Sequence, residues 1–214
     1  MFNYLIRVQL PDRPGALGAV ASRIGSVGGD VISIDILQRG GGVVVDELGV
    51  GLAGDHLIEL LRDEILEVDG VTIESVRPVQ GVLPDRHTEL LEVTTELFKQ
   101  HSAADLLQQL TIRVRRSLSA TYAVVLDTDA FGVVAYEGEL PESDELHAVA
   151  RRAMSPPPYS VDDGDGGVSA ASMVQADLIL IVGRSDPVLR DRERQWISIM
   201  AEITDHGWRD RSVG

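Results

Sequence analysis

Tyr4, Ile6, Val8 and Leu10 alternate with Leu5, Arg7 and Gln9, a period of two that predicts a strand. Asp12-Arg13-Pro14-Gly15 breaks the alternation, and Pro14 suits the first turn of a helix, where its missing N–H costs nothing. Leu17, Val20, Ala21, Ile24 and Val27 then recur at helical spacing until Gly28-Gly29 stops them. Ile32, Ile34 and Ile36 alternate with Ser33, Asp35 and Leu37 as a second strand. Gly40-Gly41-Gly42 is a turn, so Val43 to Val50 is expected to return as a hairpin partner. Asp55 is placed to cap a second helix carrying Leu57, Ile58, Leu61 and Ile65. Asp69-Gly70 turns into a last strand, Val71 to Val79.

The order β-α-β-β-α-β packs as a split βαβ unit, a ferredoxin-like antiparallel sheet with both helices on one face. Simple alternation puts Leu5, Val31 and Leu37 on the other face. An uncovered apolar face implies a partner, unless the second half of the chain covers it.

Residues 81–85 read as a short Gly- and Pro-containing linker. Beyond it, Leu90, Leu91, Thr94, Leu97 and Phe98 mark a helix. Ser102, helped by Asp105, caps another with the stripe Leu106, Leu107, Leu110, Val114 and Leu118. Strands are expected at Tyr122 to Leu126, Val133 to Tyr136, Ser169 to Val174 and Leu178 to Val182, with a short helix at Leu146, Val149 and Ala150. Pro156-Pro157-Pro158 lies in a loop, and Asp186-Pro187 is expected to open a long last helix through Leu189, Trp196, Ile197, Met200 and Ile203. The fold class is therefore α+β, in two parts, 1–80 and 86–214.

Composition narrows the function. The formal charge is −15, which disfavours direct contact with nucleic acid or anionic lipid. The chain has no Cys, so disulfides, thiolate nucleophiles and Cys metal sites are out. No signal peptide or span of roughly 18 apolar residues is read, and the expected location is cytoplasmic. The five histidines lack ligand spacing. Asp162-Asp163-Gly164-Asp165 lacks the acidic residue that closes a calcium loop. Neither a nucleophile elbow nor a phosphate loop occurs. No metal, cofactor or catalytic residue is expected. Arg113-Arg115-Arg116 and Arg190-Arg192-Arg194 read as charged helix faces, with a local anion site as the alternative.

The run strand, Asp12-Arg13-Pro14-Gly15-Ala16-Leu17, helix, Gly29-Asp30-Val31-Ile32, hairpin, helix, strand resembles an ACT domain. That resemblance implies a regulatory amino-acid sensor that pairs into a homodimer. It implies a ligand held between one copy's loop after the first strand and the partner's second strand. Carried over, Asp12 meets the ligand's α-amino group, the amides of Gly15, Ala16 and Leu17 meet its carboxylate, and Asp30 and Val31 contribute from across the pair. A helix N-terminus suits a carboxylate, and a neighbouring acid suits an ammonium. The alternative is that Asp12 only caps and Gly15 only turns. Leu10 stands where some members of the family carry a polar residue, which favours a ligand with an apolar side chain. Asp12 and Asp30 replace frequent asparagines. The layout of residues 86–214 resembles a shortened GAF domain, which implies small-molecule binding or dimerisation.

A rival is Gly49-Val50-Gly51-Leu52-Ala53-Gly54 with Glu74 downstream, the pattern of a dinucleotide loop and its ribose carboxylate. The hairpin before it, the placement of Glu74 inside a strand and the lack of further β-α-β repeats count against it. The sequence therefore leaves three readings, led by a non-enzymatic amino-acid-binding regulator. The others are a ligand-free dimerisation protein and a dinucleotide enzyme built on Gly49, Gly51 and Gly54.

Overall fold

The computed structural model describes all residues except 84, 155–159, 163–166 and 213–214. The polyproline stretch and most of the acidic turn at 162–165 fall outside the described residues. The chain divides into two units, Met1–Asp85 and Arg86–Gly214.

In the first unit, β1 (Phe2–Pro11), β2 (Asp30–Gly40), β3 (Val43–Leu52) and β4 (Thr72–Val79) form a sheet of order β2-β3-β1-β4. Every pairing is antiparallel. Helices α1 (Ala16–Ser26) and α2 (Ile58–Leu66) complete the ferredoxin-like order. Both pack on one face: Ala16, Val20 and Ile24 of α1, with Leu61 and Ile65 of α2, share a core with Tyr4, Ile6, Val8 and Leu10 of β1 and Val44, Leu48, Val50 and Leu52 of β3. Each buried Val, Leu or Ile among them contributes about 1.5–3 kcal/mol.

Local signals set the element ends. Helix α1 stops in a Schellman motif, with Gly28 at φ +74° and the Gly29 amide donating to Ile24 O at 2.9 Å. A Cβ on Gly29 would lie 3.0 Å from that same carbonyl oxygen, so the close approach requires glycine. Asp55 does not cap α2 as expected. It opens a 3-10 turn, Asp55–Leu57, and accepts a hydrogen bond from the Tyr4 hydroxyl.

That bond, with burial and the carboxylate's charge, pushes Tyr4 up to about 12. The folded state keeps a proton that the unfolded chain loses near 10.0. Stability is therefore expected to fall as pH rises from about 10 toward 12. Tyr4→Phe should flatten that slope in urea titrations at alkaline pH.

The far face of this sheet differs from the simple reading. Leu5 and Leu37 are buried, at 8% and 3% exposure. Val31 instead packs with the helix-side core. The cause is a pair of register shifts in β2, between Val31 and Ser33 and between Ile36 and Gln38. An extra residue in a strand reverses which side chains share a face. Asn3 Nδ2 donates to Gly81 O, and a Cβ on Gly49 would meet Leu83, so the segment after β4 lies against this sheet. The exposed apolar residues of the edge strand β2 are Ile32, against Gly51, and Ile34 and Ile36, which pair with helix-side Leu48 and Asp46.

The second unit holds α3 (Arg86–Phe98), α4 (Ala103–Leu118), β5 (Tyr122–Asp127), β6 (Val133–Gly138), α5 (Ser143–Ala153), β7 (Ser160–Asp162), β8 (Val168–Met173), β9 (Leu178–Gly183) and α6 (Asp191–Ser212). The sheet order is β6-β5-β9-β8-β7, antiparallel throughout. Side chains of α3, α4 and α6 pack on one face, around Leu110, Val125, Leu180 and Ile197. Helix α5 packs on the other, with Ala150 and Ala153 against Val124, Ile179 and Ile181. This is the α+β layout that the GAF resemblance implies.

Ser102 caps α4 as expected, its Oγ accepting the Asp105 amide at 3.1 Å. Asp205 of α6 does comparable work at a distance, accepting the amides of Gln175 and Ala176 in the β8–β9 turn at 2.9–3.0 Å. The last helix begins at Asp191, not at Pro187. Residues 185–188 wrap around Arg184 instead, whose guanidinium donates to the carbonyls of Pro187 and Val188. Among the described residues no helix is long and apolar enough to cross a membrane.

Candidate functional site

The turn between β1 and α1 is tied where it leaves β1. The Asp12 amide donates to Gly42 O at 2.9 Å in the β2–β3 hairpin, and the Arg13 amide donates to Pro11 O at 2.8 Å. Pro14 lies in this turn, and Gly15 occupies the N-cap at φ +86° and ψ −10°. That left-handed backbone favours glycine, and nothing lies within 4 Å of a Cβ built there. The Gly15 carbonyl accepts the Ala19 amide at 2.9 Å.

No side chain caps this helix. The Ala16 amide donates to Arg13 O at 3.3 Å. The amides of Leu17 and Gly18 are first-turn donors, which have no acceptor within a helix. A Ser or Asp at the cap would normally fill one of them. Glycine at that position leaves the positive end of α1 open to an anion.

Asp12 does not cap. Its carboxylate accepts two hydrogen bonds from Arg39, Nε at 3.0 Å and Nη2 at 2.7 Å. Those bonds hold the Asp12 carboxyl below the usual carboxylate range. Arg39 is the penultimate residue of β2 and is 67% exposed. Next to this row lies Asp46 of β3, paired with Val8 on one side and Ile36 on the other. Direct cross-strand partners share a face, so Asp46 points to the helix side with Val8. It is 2% exposed. Its Oδ1 has no hydrogen-bond partner. Burial pushes its carboxyl up, against the pull of the Arg39 charge.

The expected site residues divide. Asp12, Gly15, Ala16 and Leu17 lie together at the α1 start. Leu10 sits beside them, but its side chain is 4% exposed and belongs to the helix-side core, so it faces away from solvent. Ala16 is likewise buried, at 1%. Asp30 and Val31 begin β2, and Arg39 lies nine residues further along the same strand. At roughly 3.3 Å per residue that is about 30 Å. A single chain therefore keeps Asp12 and Asp30 apart.

Sequence reading missed Arg39 and Asp46. Asp46 carried a signal: it interrupts the core phase Val44, Leu48, Val50 and Leu52 with a charge. Arg39 carried none, because its partner is set by hairpin register.

Gly49 and Gly51 lie inside β3, which pairs antiparallel on both sides. A Cβ on Gly49 would meet Ser33 Oγ, and one on Gly51 would meet Met1 Sδ at 2.8 Å. These glycines admit neighbouring side chains and do not form a phosphate-binding turn.

In the second unit a cleft of about 350 Å³ is lined by Thr121, Tyr122, Glu145, Gly183, Arg184 and Ser185, among others. The Arg184 side chain is held by Leu118 O, Pro187 O, Val188 O and the Glu193 carboxylate. It serves as scaffold there.

No family model and no curated protein matches this chain. Among solved structures, the GAF domain of an Acinetobacter phosphoenolpyruvate-protein phosphotransferase is similar at 12% identity and TM-score 0.45, over 62% of this chain and 98% of that one. The GAF domain of a putative sensor histidine kinase from Pseudomonas syringae pv. tomato is similar at 12% and 0.44, over 60% of this chain and 89% of that one. The ACT domain of GTP pyrophosphokinase from Chlorobium tepidum is similar at 19% and 0.31, over 40% and 94%. Likeness at this level carries no residue role across.

Proposed function

We propose that this chain is a non-enzymatic regulator that binds an amino acid at the start of α1, in a site completed by a second copy across β2. The observation that carries this reading is the pairing of open α1 amides with the Asp12–Arg39 ion pair. A zwitterion needs a donor cluster for its carboxylate and a carboxylate for its ammonium, and both stand at the surface beside Gly15. Two features support the second copy. β2 is an edge strand that exposes Ile32, Ile34 and Ile36 at 46–48%, and an exposed apolar edge invites strand pairing. Antiparallel pairing of two β2 edges about a twofold axis also brings Asp30 and Val31 of one copy toward the Arg39 end of the other. The unit of residues 86–214 then reports the occupied state, provided the ligand favours one arrangement over another.

The test is a thermal-shift series with each proteinogenic amino acid, alongside sedimentation velocity. At a concentration about 100-fold above Kd, a ligand adds about 2.7 kcal/mol, or a shift of about 5–10 °C for a chain of this size. Asp12→Ala should abolish the shift, and Ile34→Lys should yield a monomer that no longer responds. A stable dimer that no amino acid shifts would instead support a ligand-free assembly protein, the second reading that the apolar edge strand favours.

A further inference from the structure

We propose that Asp46 is the ligand's ammonium anchor, so that the site accepts α-amino acids and refuses the 2-hydroxy acids of the same side chain. The inference rests on the amino-acid reading above and deepens it. Asp12 already spends both carboxylate oxygens on Arg39, at 3.0 and 2.7 Å. An ammonium beside Asp12 shares those oxygens with Arg39. Asp46 is different: it is 2% exposed and its Oδ1 has no hydrogen-bond partner.

A buried carboxylate oxygen without a donor is costly, and a donor brought by a ligand offsets that cost. Its position is specific. Asp46 projects from the helix-side face one row along from Leu10, Val44 and Arg39. Leu10, Val44 and Ala16, the first residue of α1, share the core on that face.

Asp12, Arg39 and Asp46 together hold two carboxylates and one guanidinium, and so lack one cation. An α-amino acid supplies that cation to Asp46. Its carboxylate takes the open amides of Leu17 and Gly18, with Arg39 alongside. A 2-hydroxy acid brings the same carboxylate and no cation, and leaves Asp46 as it is. Burial raises the cost of the unpaired anion, which sharpens the discrimination.

The experiment is isothermal titration of the full chain with each proteinogenic amino acid and with the matching 2-hydroxy acid, repeated on D46N. The expected result is amino-acid binding by wild type, with D46N weakened about 10- to 100-fold, the loss of one charge-assisted hydrogen bond. The 2-hydroxy acid should bind wild type more weakly than the amino acid by a similar factor, a comparison that needs no variant. Unliganded D46N should melt no lower than wild type, because an uncompensated buried charge has gone. Equal binding of both ligands by wild type, or undiminished amino-acid binding by D46N, overturns the role of Asp46 and leaves the amino-acid site standing. Absence of any amino-acid binding by wild type overturns both.

Discussion

Arg184→Met is expected to cost about 3–5 kcal/mol, the usual loss when one partner of a buried ion pair is removed. Arg184 is 4% exposed and Glu193 3%. The guanidinium Nη2 donates to Glu193 Oε2 at 2.8 Å and to Val188 O at 3.1 Å, while Nε and Nη1 donate to Pro187 O and Leu118 O. One side chain thus ties the end of α4 to the start of α6 and folds the segment between β9 and α6 around itself. Methionine fills the volume but leaves three carbonyls without this donor and Glu193 without this cation. Both tryptophans, Trp196 and Trp208, lie in this unit, so the midpoint of fluorescence-detected urea unfolding reports the loss directly. Pairing Arg184→Met with Glu193→Met should recover part of it, because an apolar pair removes the stranded charge. A loss below about 1 kcal/mol, the range of an exposed pair, would mean that Arg184 is not a structural clip.

Glu47→Ala is expected to destabilise the first unit by a similar 3–5 kcal/mol. Glu47 is 2% exposed and accepts from Arg7 Nη2 at 3.1 Å and from Arg77 Nη2 at 3.2 Å. Arg7 is fully buried, and a guanidinium cannot shed its charge. Removing the carboxylate leaves two cations facing each other on one side of the sheet. The unit has no tryptophan, so the readout is amide hydrogen exchange in β1 and β3, which should accelerate together. The double variant Arg7→Met/Glu47→Leu should restore much of the protection. Exchange in Glu47→Ala unchanged from wild type would show that the pair contributes nothing measurable.

The Arg7–Glu47 pair escapes sequence reading because its burial is not set locally. Arg7 occupies the polar phase of β1 and Glu47 that of β3, as surface residues of an edge or exposed face would. Their burial depends on what covers the far side of the sheet. The same holds for Val31 and Ile34. Simple alternation assigns them to opposite faces, yet both pair with helix-side residues, Val50 and Leu48, because β2 carries a register shift between them. Asp55 and Asp186-Pro187 were fair helix-start signals by local chemistry. Each was claimed by a distant partner, Tyr4 for one and Arg184 for the residues that follow the other.

What the sequence determined by itself is the set of elements and the open start of α1. Alternation in β1 and β3, the helical stripes of α1 and α4, and glycine at positions 15 and 28 all act within a few residues, where backbone sterics and side-chain spacing decide the outcome. What only the tertiary structure decided is which charges meet. Asp12 and Arg39 stand 27 residues apart, and hairpin register, set by packing across the whole sheet, brings them together and leaves Asp46 buried beside them.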